Sequence, residues 1–167
     1  NKYFAYGIAD AGSDWKEYFV IDIETGKQME DHIKWIKFSG VSWLKDGFFY
    51  SRFDEPKESD KLKGSNEFQK VYYHKLGTSQ EKDELIYKDD INPLLGHYVE
   101  ATENERFMIL YKSEGAGSNN ALFVKDLKKN DKEFIPVIDN FEKSYSVVST
   151  LENYLVVKTN YNAPRQR

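Results

Sequence analysis

A pattern of short aromatic-rich strands and polar turns recurs about four times along the chain, at intervals of roughly 45 to 60 residues. The recurring segments are residues 3–10 with 17–28, 48–54 with 71–84, 106–114 with 121–132, and 154–160. A single sheet of short strands cannot bury both of its faces, so repeats of this kind stack against one another. The period is typical of the blades of a β-propeller, in which each blade is a four-stranded antiparallel sheet.

We therefore predict an all-β fold that forms a partial β-propeller of about three to four blades. The approximate blade boundaries are residues 1–38, 39–90, 91–139 and 140–167. The first repeat lacks an opening strand and the last ends at Arg167 before its third, so we expect the chain to be part of a larger protein. Alone, such an arc exposes sheet faces and strand edges, so we expect it to self-associate or to be marginally stable.

Turn residues and strand alternation place individual elements. In residues 17–23, Tyr18 and Val20 point to one face of a strand while Phe19 and Ile21 point to the other. The polar segments 24–27, 75–78 and 129–132 then predict hairpin turns, and Asp-Gly at 46–47 predicts another. The connections 11–15, 55–68 and 115–119 vary most, and equivalent loops of a repeat lie on one rim, where binding sites are common.

Composition excludes several classes of function. The 24 basic and 28 acidic residues give a net charge of −4 and form no basic stripe, so nucleic acid is not an expected partner. No segment approaches the roughly 20 apolar residues of a membrane span, so no membrane insertion is expected. The chain has no cysteine, which excludes a disulfide framework and leaves both the cytoplasm and the periplasm open.

The sequence shows no self-sufficient active site, and we expect no cofactor. The Gly-x-Ser-x-Gly nucleophile motif of α/β-hydrolases is absent. The glycine-rich residues 115–119 precede a strand, whereas a phosphate-binding loop opens a helix. His32, His74 and His97 lack the spacing of metal ligands, which favours structural or surface roles and predicts no metal site.

Several short runs carry a resemblance in one order and spacing: YFAYG at 3–7, GSDW at 12–15, IKFSGVSW at 36–43, DGFFY at 46–50, VYYHKLGT at 71–78, SEG at 113–115, LFVKDL at 122–127, VIDNFE at 137–142 and KTN at 158–160. Together they closely resemble the propeller of the prolyl oligopeptidase (prolyl endopeptidase) family. The resemblance covers essentially the whole chain. Several matches in one order are more specific than any single match.

The resemblance implies a serine peptidase with a seven-bladed propeller and a C-terminal α/β-hydrolase domain that carries the Ser, Asp and His triad. This chain resembles the middle blades, so it contains no catalytic residue of the family and is expected to be inactive alone. In the family, the propeller covers the active site and admits short peptides, which are cut after proline. The expected partners are therefore proline-containing short peptides and the C-terminal hydrolase domain of the same protein.

The resemblance also implies roles for four residues, and the position of a fifth, Trp15, predicts an interface role. Phe38 matches a phenylalanine that packs against the substrate residue on the amino-terminal side of proline. Ser113 and Ala116 stand where the family has a substrate-binding arginine and a cysteine, so this loop loses a charged donor and leaves a wider pocket. Asp14 matches an aspartate at the boundary with the hydrolase domain. Trp15 is large enough to anchor an interface and directly follows Gly-Ser-Asp on the predicted rim, so we expect it to take part in that interdomain contact.

Two other interpretations remain open from the sequence. A propeller can serve as a non-catalytic binding scaffold, because this fold hosts many unrelated functions. A sister peptidase with dipeptidyl or basic-residue specificity would share the architecture, but not such close agreement at residues 12–15 and 71–78. A nucleophile elbow in the adjoining sequence would decide in favour of a peptidase.

Overall fold

The computed structural model describes residues 2–9, 13–56, 66–129, 131–163 and 165. Those residues form thirteen β-strands and one single-turn 3₁₀ helix, Gln80–Lys82, which confirms the prediction of an all-β fold. The chain divides into two compact units, residues 1–93 and 94–167. In this described part of the chain, we find no helix with the length and apolar content needed to cross a membrane.

The first unit contains a seven-stranded antiparallel sheet with the order β1-β2-β3-β5-β6-β7, in which β4 pairs with β5. Its strands are β1 Tyr3–Ala9, β2 Lys16–Asp22, β3 Gln28–Ile36, β4 Ser42–Leu44, β5 Gly47–Arg52, β6 Lys70–Lys75 and β7 Glu84–Tyr87. The pairing of Ile36 with Arg52 joins β3 to β5. Two groups of strands, β1–β3 and β4–β7, therefore meet at this pair.

The two groups of strands share one apolar core. Its buried residues come from β2, β3 and β5: Tyr18, Val20, Ile33, Ile36, Phe48 and Tyr50. Tyr18 and Val20 are buried while Phe19 and Ile21 are partly exposed, as the sequence alternation predicts. Successive side chains of a strand point to opposite faces, so β2 directs one face into this core.

The second unit has a four-stranded antiparallel sheet in the order β11-β10-β9-β8 and a separate two-stranded hairpin of β12 and β13. The strands are β8 Leu95–Ala101, β9 Phe107–Glu114, β10 Asn120–Asp126, β11 Ile135–Ile138, β12 Tyr145–Leu151 and β13 Tyr154–Thr159. Tyr145, Val147 and Leu155 of the hairpin pack on the sheet residues Phe107, Ile109 and Leu122. The hairpin therefore covers one face of the four-stranded sheet.

The predicted turns at 24–27, 75–78 and 46–47 connect antiparallel strands, and the last of them uses its glycine differently from the prediction. The two turn residues between β4 and β5 are Lys45 and Asp46, and Gly47 already lies in β5. The positive φ of 52° belongs to Lys45. A Cβ atom on Gly47 would overlap the carbonyl oxygen of His74 and lie 2.7 Å from the Tyr73 ring. Glycine is needed here for close strand approach rather than for a left-handed turn.

In the first unit, the strand register brings the ends of β1, β3 and β5 level with one another, because Ala9 pairs with Lys16, Lys16 with Ile36 and Ile36 with Arg52. The rings of Trp15 and Phe53, from the loops after β1 and β5, lie 6.1 Å apart. Residues 10–12, most of the predicted insertion at 55–68, namely 57–65, and residue 130 of the turn at 129–132 lie outside the described residues. That the loop 115–119 shares the same rim stays a prediction.

Candidate functional site

Phe38 presents its ring on the loop that follows β3. The side chain is 73% exposed and the backbone has a φ of 55°. A positive φ is uncommon for a bulky residue without glycine's freedom, and such strain persists only where the surrounding structure holds it. An exposed aromatic ring on a strained loop is a candidate for contact with another molecule.

Hydrogen bonds fix the backbone on both sides of Phe38. The side-chain amide of buried Gln69 donates from Nε2 to the carbonyl oxygen of Lys37, at 3.0 Å. The hydroxyl of Tyr18 donates to the carbonyl oxygen of Ser39, at 2.5 Å. Burial raises the pKa of the Tyr18 phenol, so the hydroxyl stays protonated as a donor. The loop is therefore held in place while its aromatic ring faces outward.

Lys37 connects Phe38, predicted to contact substrate, with Asp14 and Trp15, predicted to contact another domain. Its Nζ atom lies 3.6 Å from Oδ2 of Asp14. The same ammonium group lies 5.2 Å from the ring centroid of Trp15 and 5.4 Å from that of Phe38. These distances fall within the range of about 6 Å for cation–π attraction. We call Asp14, Trp15, Lys37 and Phe38 the rim cluster.

Trp15 anchors the rim cluster to the sheet. Its ring packs edge-on against Trp35 of β3 and against buried Phe53 after β5, each at a centroid distance of 6.1 Å. The backbone nitrogen of Trp15 donates to the hydroxyl of Ser13, at 3.1 Å. Edge-to-face packing of this kind gives a specific ring orientation beyond simple area burial. The tryptophan is therefore held in place, while the neighbouring Asp14 carboxylate remains largely exposed.

Lys37 is the member of the rim cluster that sequence reasoning missed. It follows β3 directly and precedes Phe38, in the run IKFSG. Nothing in that run distinguishes a lysine that contacts two aromatic rings from an ordinary surface lysine. The available signal was indirect, because Gly-Ser-Asp-Trp stands in a predicted loop and Lys37 stands beside the blade boundary predicted at residue 38.

Ser113 and Ala116 belong to the second unit. Ser113 lies within β9, where it pairs with Gly96 of β8 and Asn120 of β10. Ala116 is exposed in the connection between β9 and β10, directly after Gly115, which has a φ of 58°. The connection leads into strand β10 as predicted, so its glycines do not open a helix for phosphate binding.

His74 lies fully buried between two carboxylates at the end of the sheet opposite the rim cluster. Its Nε2 is 2.9 Å from Oδ1 of Asp31, and its Nδ1 is 2.7 Å from Oδ1 of Asp83. Asp31 also accepts from the Gly77 amide at 2.6 Å, and Asp83 accepts from the Tyr50 hydroxyl at 2.7 Å. An ionised carboxylate only accepts hydrogen bonds, so when Asp31 and Asp83 are both ionised each imidazole nitrogen donates and the ring is a cation.

The environment of His74 sets its protonation. Burial lowers the pKa of the imidazole, but the hydrogen bonds and charges of Asp83 and Asp31 outweigh burial and raise it. Both ring nitrogens are already committed, so His74 has no lone pair available to act as a general base. Its role is structural: it ties β6 to β3 and to the segment after the 3₁₀ helix.

The other two histidines are not part of a metal site either. His32 is exposed, contacts Glu17 at 2.5 Å and stacks on Phe19 at a centroid distance of 4.6 Å. His97 is buried within β8. Among the residues that the structure describes, no group of three or more His, Cys, Asp or Glu side chains is arranged to hold a metal ion.

A comparison with known protein families identifies the family of this chain. The family described as prolyl oligopeptidase, N-terminal β-propeller domain, matches residues 1–167. The chain belongs to this family. The match extends over all four repeats and confirms the partial β-propeller that the sequence predicts.

Relatives of this propeller domain are named as peptidases. The domain is 44% identical over 166 residues to prolyl endopeptidase of Elizabethkingia miricola, an alignment that covers 98% of the chain and 23% of that protein. A structure from a structural and mechanistic analysis of two prolyl endopeptidases matches with a TM-score of 0.87 at 30% identity, over 99% of the chain and 24% of that structure.

A second solved structure shows a related propeller with substrate present. Prolyl oligopeptidase B from Galerina marginata, bound to a 35mer hydrolysis and macrocyclization substrate, matches with a TM-score of 0.87. The two chains are 25% identical, and the match covers 99% of this chain and 25% of the other. The propeller domain therefore spans about a quarter of the length of the relatives it matches.

Proposed function

We propose that this domain is the propeller part of a serine endopeptidase that cleaves short peptides after proline. The observation that carries the proposal is the family match over residues 1–167, together with 44% identity to a prolyl endopeptidase. The propeller restricts access to a Ser-Asp-His triad in a C-terminal α/β-hydrolase domain, which performs the acyl-enzyme chemistry. The domain alone is inactive, and its blades are residues 1–38, 39–90, 91–139 and 140–167.

Phe38 contacts the substrate residue that precedes proline. Support comes from its 73% exposed ring and from the fixed backbone on which that ring stands. A positioned apolar ring contributes binding free energy by removing apolar substrate surface from water. Ser113 and the exposed Ala116 contact the peptide with small side chains, which leaves room for bulkier peptides.

Asp14 and Trp15 form part of the contact with the hydrolase domain. Support comes from the exposed carboxylate of Asp14, whose side chain is 75% accessible beside the anchored Trp15. A charge at such a contact influences the rate and orientation of association more than its strength. We therefore expect Asp14→Asn to change the salt dependence of peptide cleavage, because opening and closing of the propeller over the active site would be altered.

The function is tested on the full-length protein that contains this domain. A chromogenic peptide ending in Gly-Pro is compared with its Gly-Ala counterpart, with and without a serine-reactive phosphonate. The expected result is cleavage of the proline peptide alone, abolished by the phosphonate. A full-length protein that binds peptides but cleaves neither substrate would instead support the non-catalytic scaffold.

The role of Phe38 is tested on the full-length protein with peptides that carry a bulky residue directly before proline, because glycine there offers no side chain for the ring to contact. Phe38→Ala is expected to raise KM about tenfold with little change in kcat, since burying an aromatic side chain contributes about 1.5–3 kcal/mol. Phe4 is a matched control, because its side chain is 54% exposed on β1, away from the rim cluster. Phe4→Ala is expected to leave KM unchanged. An equal KM for Phe38→Ala and the unchanged protein would contradict the assignment.

The domain alone is expected to self-associate. The hairpin of β12 and β13 exposes apolar side chains, including Val148 at 56%, Leu151 at 65% and Tyr154 at 71%. Strand edges and apolar faces without neighbours pair with other chains. Sedimentation velocity of the isolated domain should therefore show species heavier than 19.6 kDa that increase with concentration. A single monomeric species over the whole concentration range would contradict this expectation.

A further inference from the structure

We propose that Lys37 is a positioning residue for peptide binding, because its ammonium group holds the Phe38 ring and connects that ring to Asp14 and Trp15. The inference rests on the proposed function, since it requires Phe38 to contact substrate. It goes further by assigning a role to a residue that the sequence did not distinguish. It also predicts that the substrate contact and the interdomain contact influence each other.

The ammonium group of Lys37 lies among the other three members of the rim cluster. One cation lies 3.6 Å from the Asp14 carboxylate and within 5.2–5.4 Å of the ring centroids of Trp15 and Phe38. The Lys37 side chain is only 13% exposed, so solvent and salt screen these interactions less than they screen a free surface lysine. The two aromatic rings and the carboxylate therefore restrain the lysine strongly.

The Phe38 side chain is largely exposed and stands on a fixed backbone. Hydrogen bonds from Gln69 and Tyr18 hold the loop backbone, but they do not restrict rotation of the phenylalanine side chain. The ring contact that the structure gives Phe38 is with Lys37. A largely exposed side chain otherwise populates several rotamers, and selecting one of them on binding costs conformational entropy. Lys37 reduces that cost by favouring the observed orientation in advance.

Asp14, Trp15 and Phe38 share one cation, the ammonium group of Lys37. Any movement of Asp14 or Trp15 on contact with the hydrolase domain displaces the group that Lys37 interacts with, and therefore changes its restraint on Phe38. Energetic coupling between two binding events is reciprocal. Peptide bound against Phe38 should then favour contact between the propeller and the hydrolase domain, and that contact should favour peptide binding.

The experiment compares Lys37→Met and Lys37→Arg in the full-length protein. The substrates carry either a bulky residue or glycine directly before proline. Lys37→Met is expected to raise KM about fivefold for the bulky substrate, with kcat unchanged and little effect on the glycine substrate. Lys37→Arg keeps a cation that stacks on aromatic rings, so it should restore KM. A merely structural role would lower activity on both substrates alike.

Lys2 provides a matched control within the same domain. Its Nζ atom lies 3.6 Å from Oδ2 of Asp22 and 5.2 Å from the Tyr3 ring centroid, so this more exposed lysine makes one ion pair and one cation–π contact away from the rim cluster. Lys2→Met should leave both KM values unchanged. An increase of KM in Lys2→Met equal to that in Lys37→Met would overturn the inference, because the effect would then follow from any loss of such a contact.

A double variant separates this inference from the proposed function. If Lys37 acts through Phe38, then Lys37→Met with Phe38→Ala should have the same KM as Phe38→Ala alone. An effect of Lys37→Met that persists without the ring overturns the inference. If Phe38→Ala itself has no effect on KM, the substrate contact fails first. If Phe38→Ala raises KM but Lys37→Met does not, the proposed function stands and the positioning role is wrong.

Discussion

The Nε2 atom of His74 lies 2.9 Å from Oδ1 of Asp31, and both side chains are completely buried. Asp83 accepts from the other ring nitrogen, so one imidazolium neutralises charge between two carboxylates. Buried ions are costly to desolvate, and removal of one partner leaves the others uncompensated. The stability of the first unit therefore depends on the protonated imidazole of His74, which solvent does not reach.

Replacement of His74 by glutamine should strongly destabilise the domain. The variant leaves Asp31 and Asp83 buried without a cation, a change that typically costs about 3–5 kcal/mol. His32→Gln is the matched control, because His32 is exposed and its loss should change the free energy of unfolding by less than about 1 kcal/mol. Urea denaturation followed by tryptophan fluorescence measures both. Equal stabilities of the two variants would contradict the buried charge network.

The same group predicts how stability depends on pH. The pKa of His74 is raised in the folded protein above its ordinary value of 6.5. Its stabilising contribution is therefore complete below about pH 6.5 and is lost as the pH rises through the folded-state pKa. The difference in the free energy of unfolding between the unchanged protein and His74→Gln should shrink over this range. A constant difference would show that the imidazole does not titrate with folding.

Gly47→Ala should destabilise the first unit by about 1–3 kcal/mol or more, because the added methyl group overlaps the backbone of the neighbouring strand. The clash involves the carbonyl oxygen of His74, which cannot rotate away as a side chain can. Gly117→Ala is the control, since a Cβ there lies 3.6 Å from the nearest atom, the Glu114 carbonyl oxygen. Thermal denaturation should show a lower Tm for the first variant and an unchanged Tm for the second.

Asn120→Ala should loosen the β12–β13 hairpin in the second unit. The Asn120 amide accepts from the backbone nitrogen of Tyr145, at 2.8 Å, and is buried. Without it, the Tyr145 amide loses its partner at a cost of about 1–3 kcal/mol. Amide hydrogen exchange should accelerate at the start of β12. Asn119→Ala, which removes a hydrogen bond to the Glu142 carbonyl in a less buried place, should have a smaller effect.

Ser113→Arg should tighten peptide binding in the full-length protein. The change introduces a cationic donor at a position where small Ser113 stands in β9, and hydrogen bonds to charged groups contribute about 1.5–3 kcal/mol. We expect KM to fall about tenfold with little change in kcat. Ser113→Gln is the control, because it adds length without charge. A KM that falls equally in both variants would indicate added contact area rather than the charged donor.

Sequence periodicity sufficed for a strand with one buried face such as β2, whereas β5 is buried from Gly47 to Ser51 without alternation. Tyr18 and Val20 are buried in β2 as that alternation predicts. The close approach at Gly47 was not predictable, since the strand that excludes a side chain is 27 residues further along the sequence, at His74. Contacts across such separations depend on register, which single-residue patterns do not specify.

The candidate site was only partly predictable, because some of its contacts join residues that are distant in the sequence. Phe38 and Asp14 stand out because the resemblance assigns them roles, and Trp15 because a large side chain follows Gly-Ser-Asp on the predicted rim. Lys37 does not, because its contacts come from a segment more than 20 residues earlier as well as from its own neighbour. The pairing of His74 with Asp31 is likewise invisible in the sequence, where 43 residues separate the two. The sequence gives the identity of each residue, whereas the partner of a charged side chain depends on the tertiary structure.

The left-handed backbone at Phe38 has an evolutionary consequence. Glycine or asparagine would adopt a φ of 55° with less strain than phenylalanine does. Directed evolution for heat resistance alone should therefore exchange this aromatic residue for one of those two, while selection on peptide turnover should restore it. If Phe38 contacts substrate as proposed, stability and peptide binding favour different residues at position 38, and relatives that have lost peptide turnover should accumulate glycine there first.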